Sequence, residues 1–425
     1  MIRLSRRLTG GVAAAGAVAL VLAGCSTDTD SSSGGSSNKL TIAWKGSEKL
    51  GIDAVVEQYK KDFPDREVVV TTADVEQYQA TLRTQISAGT AADVVFVWPS
   101  DGNPGAIRQI APGGYLEDLS SHDWVQKYPA KLKPLTEIDG KTYLMAPTVT
   151  AFGPIYNEAA LAEVKVAAPT TWAEVIPFCA AAKSAGKSAY ALGASALNNT
   201  QNPLYSLVPS LVYAADPNFD EQLKGGQTSF AKNDGWKLAL DRYQEMIKAG
   251  CFNENSTGTS TEQQINLVAT GKSVAMFSIA YQLGALDKAA PDATFSFIPF
   301  GDGDPAQALL AASSAGGAAV NAKAKNKKLA LEFVDYLASP QIMAVYNGAL
   351  KGAIPSIPSG EPISDPILAV INQYLADGKT VPFLNQNWPN ARVEQSMYSA
   401  IQAMLAGTGT PGEVLSAMDT EYQRK

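Results

Sequence analysis

The sequence predicts an α/β chain folded as two lobes, each a sheet flanked by helices and joined by crossover segments. Three observations carry this. Between Leu40 and Trp98, extended apolar runs alternate with helical periodicities, the pattern of right-handed βαβ units in a doubly wound sheet. The stretch Lys141–Asn157, KTYLMAPTVTAFGPIYN, is apolar over two consecutive extended segments, and Pro147 and Pro154 exclude a helix interior there, because proline lacks the N–H and clashes with the preceding turn. With no strong turn chemistry to reverse it, the stretch reads as a strand that leaves one sheet and enters another. Finally, a chain of 425 residues exceeds what one ordinary core accommodates and calls for two domains.

At the start of the chain, Arg3, Arg6 and Arg7 precede a run of small apolar residues, Gly11–Ala23. This is the layout of a secretory signal peptide over residues 1–24, and the run is too short and too rich in alanine and glycine for a membrane span. Leu22-Ala23-Gly24-Cys25 resembles the lipobox of bacterial lipoproteins, which implies that Cys25 is lipidated and becomes the new N-terminus. Ser5-Arg6-Arg7 partly resembles a twin-arginine signal, so both export routes stay open. Residues 25–38 continue as Ser/Gly/Asp low complexity with nothing to bury, the composition of a flexible tether. The expected location is extracytoplasmic, lipid-anchored to the outer face of the cell membrane.

Removing residues 1–24 takes away three arginines and no acid, which moves the net charge from −7 to about −10. No long basic patch is present, which argues against a nucleic-acid partner. Beyond Cys25 only Cys179 and Cys251 remain. Outside the cytoplasm two cysteines pair readily, but spacing alone leaves a disulfide and two buried thiols both open.

In the first lobe, Leu40–Trp44 reads as a buried strand. Ile52, Val55, Val56, Tyr59 and Phe63 recur at helical spacing up to Pro64. Val68–Val70 is again extended, Val75–Ala88 helical, and Asp93–Trp98, DVVFVW, is a continuous apolar run of the kind found in sheets covered on both faces. Ligands of such sheets bind at the carboxyl ends of the strands. Those ends carry Trp44-Lys45-Gly46-Ser47-Glu48 and Trp98-Pro99-Ser100-Asp101. A lone tryptophan is usually core, yet two at corresponding strand ends suit a platform on which the C–H face of a sugar stacks, with carboxylates and amines reaching its hydroxyls.

In the second lobe, Thr171 and Glu174 fit a capping box that starts a helix, which makes Trp172 a packing residue. Asn198, Asn199, Gln201 and Asn202 precede an apolar helix, Leu204–Tyr213; these amides either cap it or face a cleft. Helices follow at Gly235–Ala249 and Glu262–Thr270, then the strand Gly271–Phe277, read as a second crossover back to lobe one. Phe295–Pro299 and Ala318–Val320 are read as further lobe-one strands. Lys327–Leu337, Pro366–Ala376, Arg392–Leu405 and Glu413–Gln423 are helical, and the chain is expected to finish on lobe two. The expected lobes are thus 39–149 plus 279–325, and 150–278 plus 326–425.

Taken in order, VVEQYKKDFP (Val55–Pro64), DVVFVW, GKTYLMAP (Gly140–Pro147), Tyr156-Asn157, PTTWAE (Pro169–Glu174), GKSVAMF (Gly271–Phe277) and LALEFVDYLASPQ (Leu329–Gln341) resemble the extracellular solute-binding proteins of bacterial ABC transporters. The likeness is strongest to the carbohydrate-binding, maltose-binding-protein-like branch, and it covers essentially the whole mature chain. It implies a type II-like periplasmic-binding-protein fold in a monomeric receptor. Such a receptor closes on its ligand by hinge motion and delivers it to the permease of an ABC importer, without cofactor or metal. Carried onto this sequence, the ligand-binding candidates are Trp44, Glu48, Trp98 and Asp101 on one wall. Phe152, Asn202, Tyr281 and Trp388 are the candidates on the other wall and in the hinge, with Lys351 as a further one. The family commonly has a tryptophan where Tyr281 stands.

Other chemistries fit less well. The one histidine, His122, would have to serve any serine triad, and no Gly-x-Ser-x-Gly elbow, His-Glu-x-x-His or Walker loop is present. A glycosidase carboxylate pair leaves no local motif, so a secreted carbohydrate-active enzyme stays open at this level. A receptor of the same fold for a polyamine or an amino acid stays open too.

Overall fold

The computed structural model describes residues 38–303, 305–358, 363 and 365–424; the predicted signal peptide, Cys25 and nearly all of the predicted tether lie outside these. In chain order the strands are β1 (Lys39–Lys45), β2 (Glu67–Ala73), β3 (Val94–Val97), β4 (Glu137–Ile138), β5 (Lys141–Thr142) and β6 (Thr148–Asn157). They continue as β7 (Ser188–Ala191), β8 (Ser273–Ile279), β9 (Phe295–Phe297), β10 (Leu310–Ser313), β11 (Gly317–Val320), β12 (Ala353–Pro355) and β13 (Thr380–Val381).

The first sheet has the order β11-β3-β1-β2, with β1 parallel to both β2 and β3, and β11 antiparallel to β3. Side chains alternate across a strand, so Leu40, Ile42 and Trp44 of β1 share one fully buried face. β3 is buried at every residue, as its continuous apolar run predicts. The helix Lys49–Asp62 covers this sheet with Ile52, Val55, Val56 and Tyr59.

The stretch Lys141–Asn157 passes from this sheet to the next. The Met145 N–H donates to the Ala318 carbonyl of β11 at 2.8 Å, and three residues later β6 begins. All ten residues of β6 are buried. It is the central strand of a seven-stranded sheet and pairs with β8, β9, β10 and β12. Its length follows from its composition, since nothing polar enough to need solvent interrupts the run. At Gly153 a Cβ would come within 2.5 Å of the Phe297 ring, so glycine is what lets β9 lie against β6.

Two expected lobe assignments are corrected. Phe295–Phe297 does not join the first sheet, because Phe295 pairs with Asn157 and Phe297 with Ile155 of β6. The chain therefore stays with the second sheet after β8 and returns to the first only between β10 and β11. Conversely, Lys327–Leu337 and Pro340–Leu350 belong with the first sheet. There Phe333 meets Tyr59 with ring centroids 5.2 Å apart, the Arg66 guanidinium lies 2.8 Å from Glu332, and Tyr346 lies against Gly51. The physical reason is that the apolar face of the first of these helices (Ala330, Phe333, Val334, Leu337) needs an apolar partner, which the helix Lys49–Asp62 supplies.

Helix ends follow local chemistry. Glu174 accepts from the Thr171 N–H at 3.1 Å, closing the predicted capping box at Trp172–Ser184. That helix carries Cys179, which is disulfide-bonded to Cys251 just beyond the helix Asp234–Lys248. Among the described residues no helix is long and apolar enough to cross a membrane.

Candidate functional site

The carboxyl ends of β1 and β3 and the facing elements of the second sheet enclose a cavity of about 390 Å³. From the first sheet come Lys45 at the end of β1, Trp98 just past β3, and Glu76 and Gln79 in the first turn and a half of the helix Val75–Ala88. From the second come Phe152 of β6, Tyr281 just past β8, and Gln201 and Asn202 where the helix Asn202–Val208 begins. Asn385 and Glu394, from the turn Leu384–Asn387 and the helix Ala391–Leu405, complete it. A second cavity of about 530 Å³ shares Ser47, Glu76, Asn198 and Tyr281 with the first and extends toward Asp74 and Glu262.

Aromatic rings and polar groups alternate around the first cavity. Phe152 lies 4.4 Å from Tyr205 and 5.0 Å from Phe383, centroid to centroid. Trp98 is braced edge-on by Phe96 at 4.9 Å. The Asn202 Nδ2 donates to the Phe277 carbonyl at 3.2 Å, and the Gln201 Oε1 is buried without a partner. A buried unpaired acceptor is costly, and a ligand donor in the cavity would relieve it.

Lys45 is buried at the cavity floor. Its Nζ lies 2.7 Å from Glu48 Oε1 and donates to the Tyr281 hydroxyl at 3.3 Å and the Ala315 carbonyl at 3.5 Å. Burial alone would lower its pKa, but Glu48 and Tyr281 outweigh that and raise it, so Lys45 stays charged. Its ammonium also stands 5.5 Å from the Trp98 ring centroid. Lys45 thereby ties the end of β1 to Tyr281, just past β8 of the second sheet, and to Ala315, where the chain returns from β10 to the first sheet.

Glu394 is the buried carboxylic acid of the cavity among the described residues. Its carboxylate accepts from Asn385 Nδ2 at 2.6 Å and, across the cleft, from Asn103 Nδ2 at 3.5 Å. Burial pushes its pKa up to about 8, and its hydrogen bonds with Tyr398 and Asn385 only partly offset that. Two further contacts span the cleft. The Asn198 N–H donates to Glu76 at 3.3 Å, and Gly102 lies so close to Asn385 that a Cβ on it would stand 1.7 Å from the Asn385 carbonyl oxygen.

Of the predicted ligand-binding residues, the structure brings Trp98, Phe152, Asn202 and Tyr281 together around this cavity. Five others are placed elsewhere. Trp44 is fully buried, edge-on to Phe96 at 4.9 Å, with its Nε1 donating to Tyr346 at 3.1 Å. Glu48 is sealed beneath Lys45 and accepts from the Tyr346 hydroxyl. Asp101 turns to Gln109, which donates to it at 2.9 Å. Lys351 pairs with Asp287 at the surface. Trp388 lies in an aromatic core 5.5 Å from Phe230 and 6.3 Å from Trp236. In each case the side chain finds a partner on its own lobe and has none of its surface in the cavity. His122 lies 2.6 Å from Asp335, also outside it.

Sequence reasoning missed Lys45, Tyr205 and Glu394. Glu394 carried a signal, because it sits on the stripe formed by Met397, Tyr398 and Ile401, the buried face of its helix, where an acid is out of place.

A model of the bacterial extracellular solute-binding protein family matches residues 54–368. No curated protein matches the chain significantly. Among solved structures, the chain is similar to a sugar transporter protein from Bacillus licheniformis in complex with stachyose, at 19% identity over 90% of this chain and 99% of that one, with a TM-score of 0.73. It is similar to the solute-binding protein RafE in complex with raffinose, at 18% identity over 90% and 98%, with a TM-score of 0.74. A chitin oligosaccharide binding protein shares 19% identity over 88% and 93%, with a TM-score of 0.74. Likeness at this level of identity reports the fold, which is the two-lobed one expected from the sequence. With the family match spanning most of its length, the chain belongs to the bacterial extracellular solute-binding protein family.

Proposed function

We propose that the chain is an extracytoplasmic receptor that binds a carbohydrate in the cleft between its four-stranded and seven-stranded sheets and passes it, unchanged, to the permease of an ABC importer. The observation that carries this reading is the lining of the cavity, where the rings of Trp98, Phe152 and Tyr281 stand beside the polar groups of Gln201, Asn202 and Glu394. Apolar C–H faces stack on the rings, and hydroxyls bond the amides and the carboxyl group, so one ligand satisfies both kinds of wall. Stachyose, raffinose and chitin oligosaccharide are named for structures of similar fold, which supports the same class of ligand here. The adjoining second cavity gives room for more than one sugar ring.

The two lobes close as hinged bodies, with ligand favouring the closed state because only there do both walls touch it. The lobes are the first sheet with the helices Lys49–Asp62 and Lys327–Leu350, and the second sheet with the rest. Cys25 carries lipid that holds a monomer at the outer face of the membrane. No catalytic step is required of any residue. The carboxylates Glu76 and Glu394, both on the cavity wall, favour a second reading, a cationic solute such as a polyamine.

A thermal-shift screen of the mature chain against raffinose, stachyose and chitin oligosaccharides, with spermidine and amino acids alongside, separates the readings. Binding to the folded state alone raises the melting temperature with ligand concentration. A saturable shift with a saccharide recovered intact supports the proposal. A shift with spermidine alone replaces it by the cationic reading, and consumption of the saccharide would make the protein an enzyme.

A further inference from the structure

We propose that Glu394 is the specificity-determining residue of the cleft, presenting an uncharged carboxyl group to a neutral polyol, and that ligand binding is coupled to the uptake of one proton at that group. This deepens the carbohydrate reading and rests on it.

The geometry comes first. Glu394 is 3% exposed yet lines the cavity. Asn385 donates to one carboxyl oxygen at 2.6 Å and Asn103 to the other at 3.5 Å, and Tyr398 also hydrogen-bonds the group. The oxygen toward Asn103 carries the longer of the two amide contacts and faces the opposite wall of the cleft, within reach of a ligand hydroxyl. Gln201 Oε1, buried and unpartnered on the same cavity, is a second acceptor awaiting a donor. A polyol offers what both need, and its hydroxyls accept in return the proton of a neutral carboxyl group.

The one charge acting on Glu394 is negative, that of Glu76, and the tyrosines beside it are held neutral by burial. The ionisable groups acting on it are Glu76 from the helix Val75–Ala88, Tyr205 from the helix Asn202–Val208 and Tyr398 one turn along its own helix. Asn103 and Asn385, from the two loops against it, are neutral amides. The buried cation of the cavity, Lys45, is already matched by Glu48 at 2.7 Å. An ionised Glu394 closed into a dry site would thus be an unpaired buried charge, which is strongly unfavourable. The carboxyl pKa of about 8 has the same cause. A neutral ligand adds burial and no counter-charge, so the bound state keeps the proton. An ammonium-bearing ligand would do the reverse and expel it.

The test uses the mature chain and two probes, the saccharide that gives the largest thermal shift among raffinose, stachyose and chitin oligosaccharides, and spermidine. Calorimetric titration in two buffers of different ionisation enthalpy reads proton uptake in the unmodified protein. The expectation is near zero uptake at pH 6 and roughly one proton at pH 9, with saccharide affinity weakening about tenfold from pH 7 to pH 9. Glu394→Gln, isosteric and neutral, should keep the affinity of the low-pH protein and lose the pH dependence. Saccharide binding that is independent of pH, or that Glu394→Gln abolishes at pH 6, overturns this inference and leaves the carbohydrate reading standing. Spermidine binding that strengthens with pH, with no saccharide bound, overturns both.

Discussion

The Lys45 ammonium and the Glu48 carboxylate lie 2.7 Å apart, three residues apart in sequence, with both side chains closed off from solvent. The pair occupies the turn that ends β1, at the floor of the cleft. Glu48 is held from behind by Tyr346, whose hydroxyl accepts from Trp44, and Lys45 reaches forward to Tyr281 and Ala315. The buried network thus joins the core of the first lobe to Tyr281 of the second and to Ala315, on the segment that returns from it.

Breaking one half of such a pair leaves the other as an uncompensated buried charge, at a cost of about 3–5 kcal/mol. Lys45→Met should therefore lower unfolding free energy by about that amount, and the double variant Lys45→Met/Glu48→Gln should recover much of it. Urea denaturation of the three proteins checks this. Equal stability of the single and double variants would mean the pair is not coupled.

The stability of the protein should fall as pH rises across the window between the usual carboxylate range and pH 8. In that window folded Glu394 holds a proton that the unfolded chain has released, so raising the pH favours unfolding, and the slope levels off above pH 8. Glu394→Gln should flatten that part of the profile. Melting temperatures measured every half pH unit give the comparison.

Trp98 and Trp44 occupy corresponding strand ends but different surroundings. Trp98→Phe should weaken ligand affinity about tenfold or more, as a platform residue of the cavity would. Trp44→Phe should leave affinity unchanged and lower stability by about 1–2 kcal/mol, through loss of the donor to Tyr346. Calorimetric titration paired with denaturation distinguishes the two.

Gly102→Ala places a methyl group against the Asn385 carbonyl across the cleft. It should oppose closure, weakening ligand affinity by about tenfold, with no change in the melting temperature of the ligand-free protein. A variant that binds as tightly as the parent would show that this contact plays no part in closure.

The Cys179–Cys251 bond closes a segment of 72 residues. Replacing both cysteines by alanine should lower stability by about 2–5 kcal/mol and leave ligand affinity intact, since neither residue lines the cavity. Thiol titration of the unreduced, denatured protein should find neither cysteine free.

Much of the fold was legible because its signals are local. Alternation, apolar runs and the cap at Thr171 need only neighbours in sequence, and the passage through Pro147 shows itself by what it excludes. Lobe membership after Ile279 was not legible, because nothing near Phe295 says that its partner is Asn157, 138 positions earlier. The site divided the same way. Trp44 had a readable parity with Leu40 and Ile42 that puts it on the buried face, and that signal was outweighed by its position at a strand end. Trp388 gave none, since Phe230 and Trp236 reach it from a distant part of the chain. Lys45 was placed at a strand end but not singled out, because its partner Tyr281 lies 236 positions away in the chain.

A crystal structure of the mature chain grown with the saccharide that gives the largest thermal shift tests the central claim most directly. The account predicts a sugar ring stacked on Trp98, with hydroxyls within hydrogen-bond distance of Asn202 and the Glu394 carboxyl group, so that both lobes touch one ligand. A saccharide bound outside this cleft, or inside it on one wall only, would contradict the account.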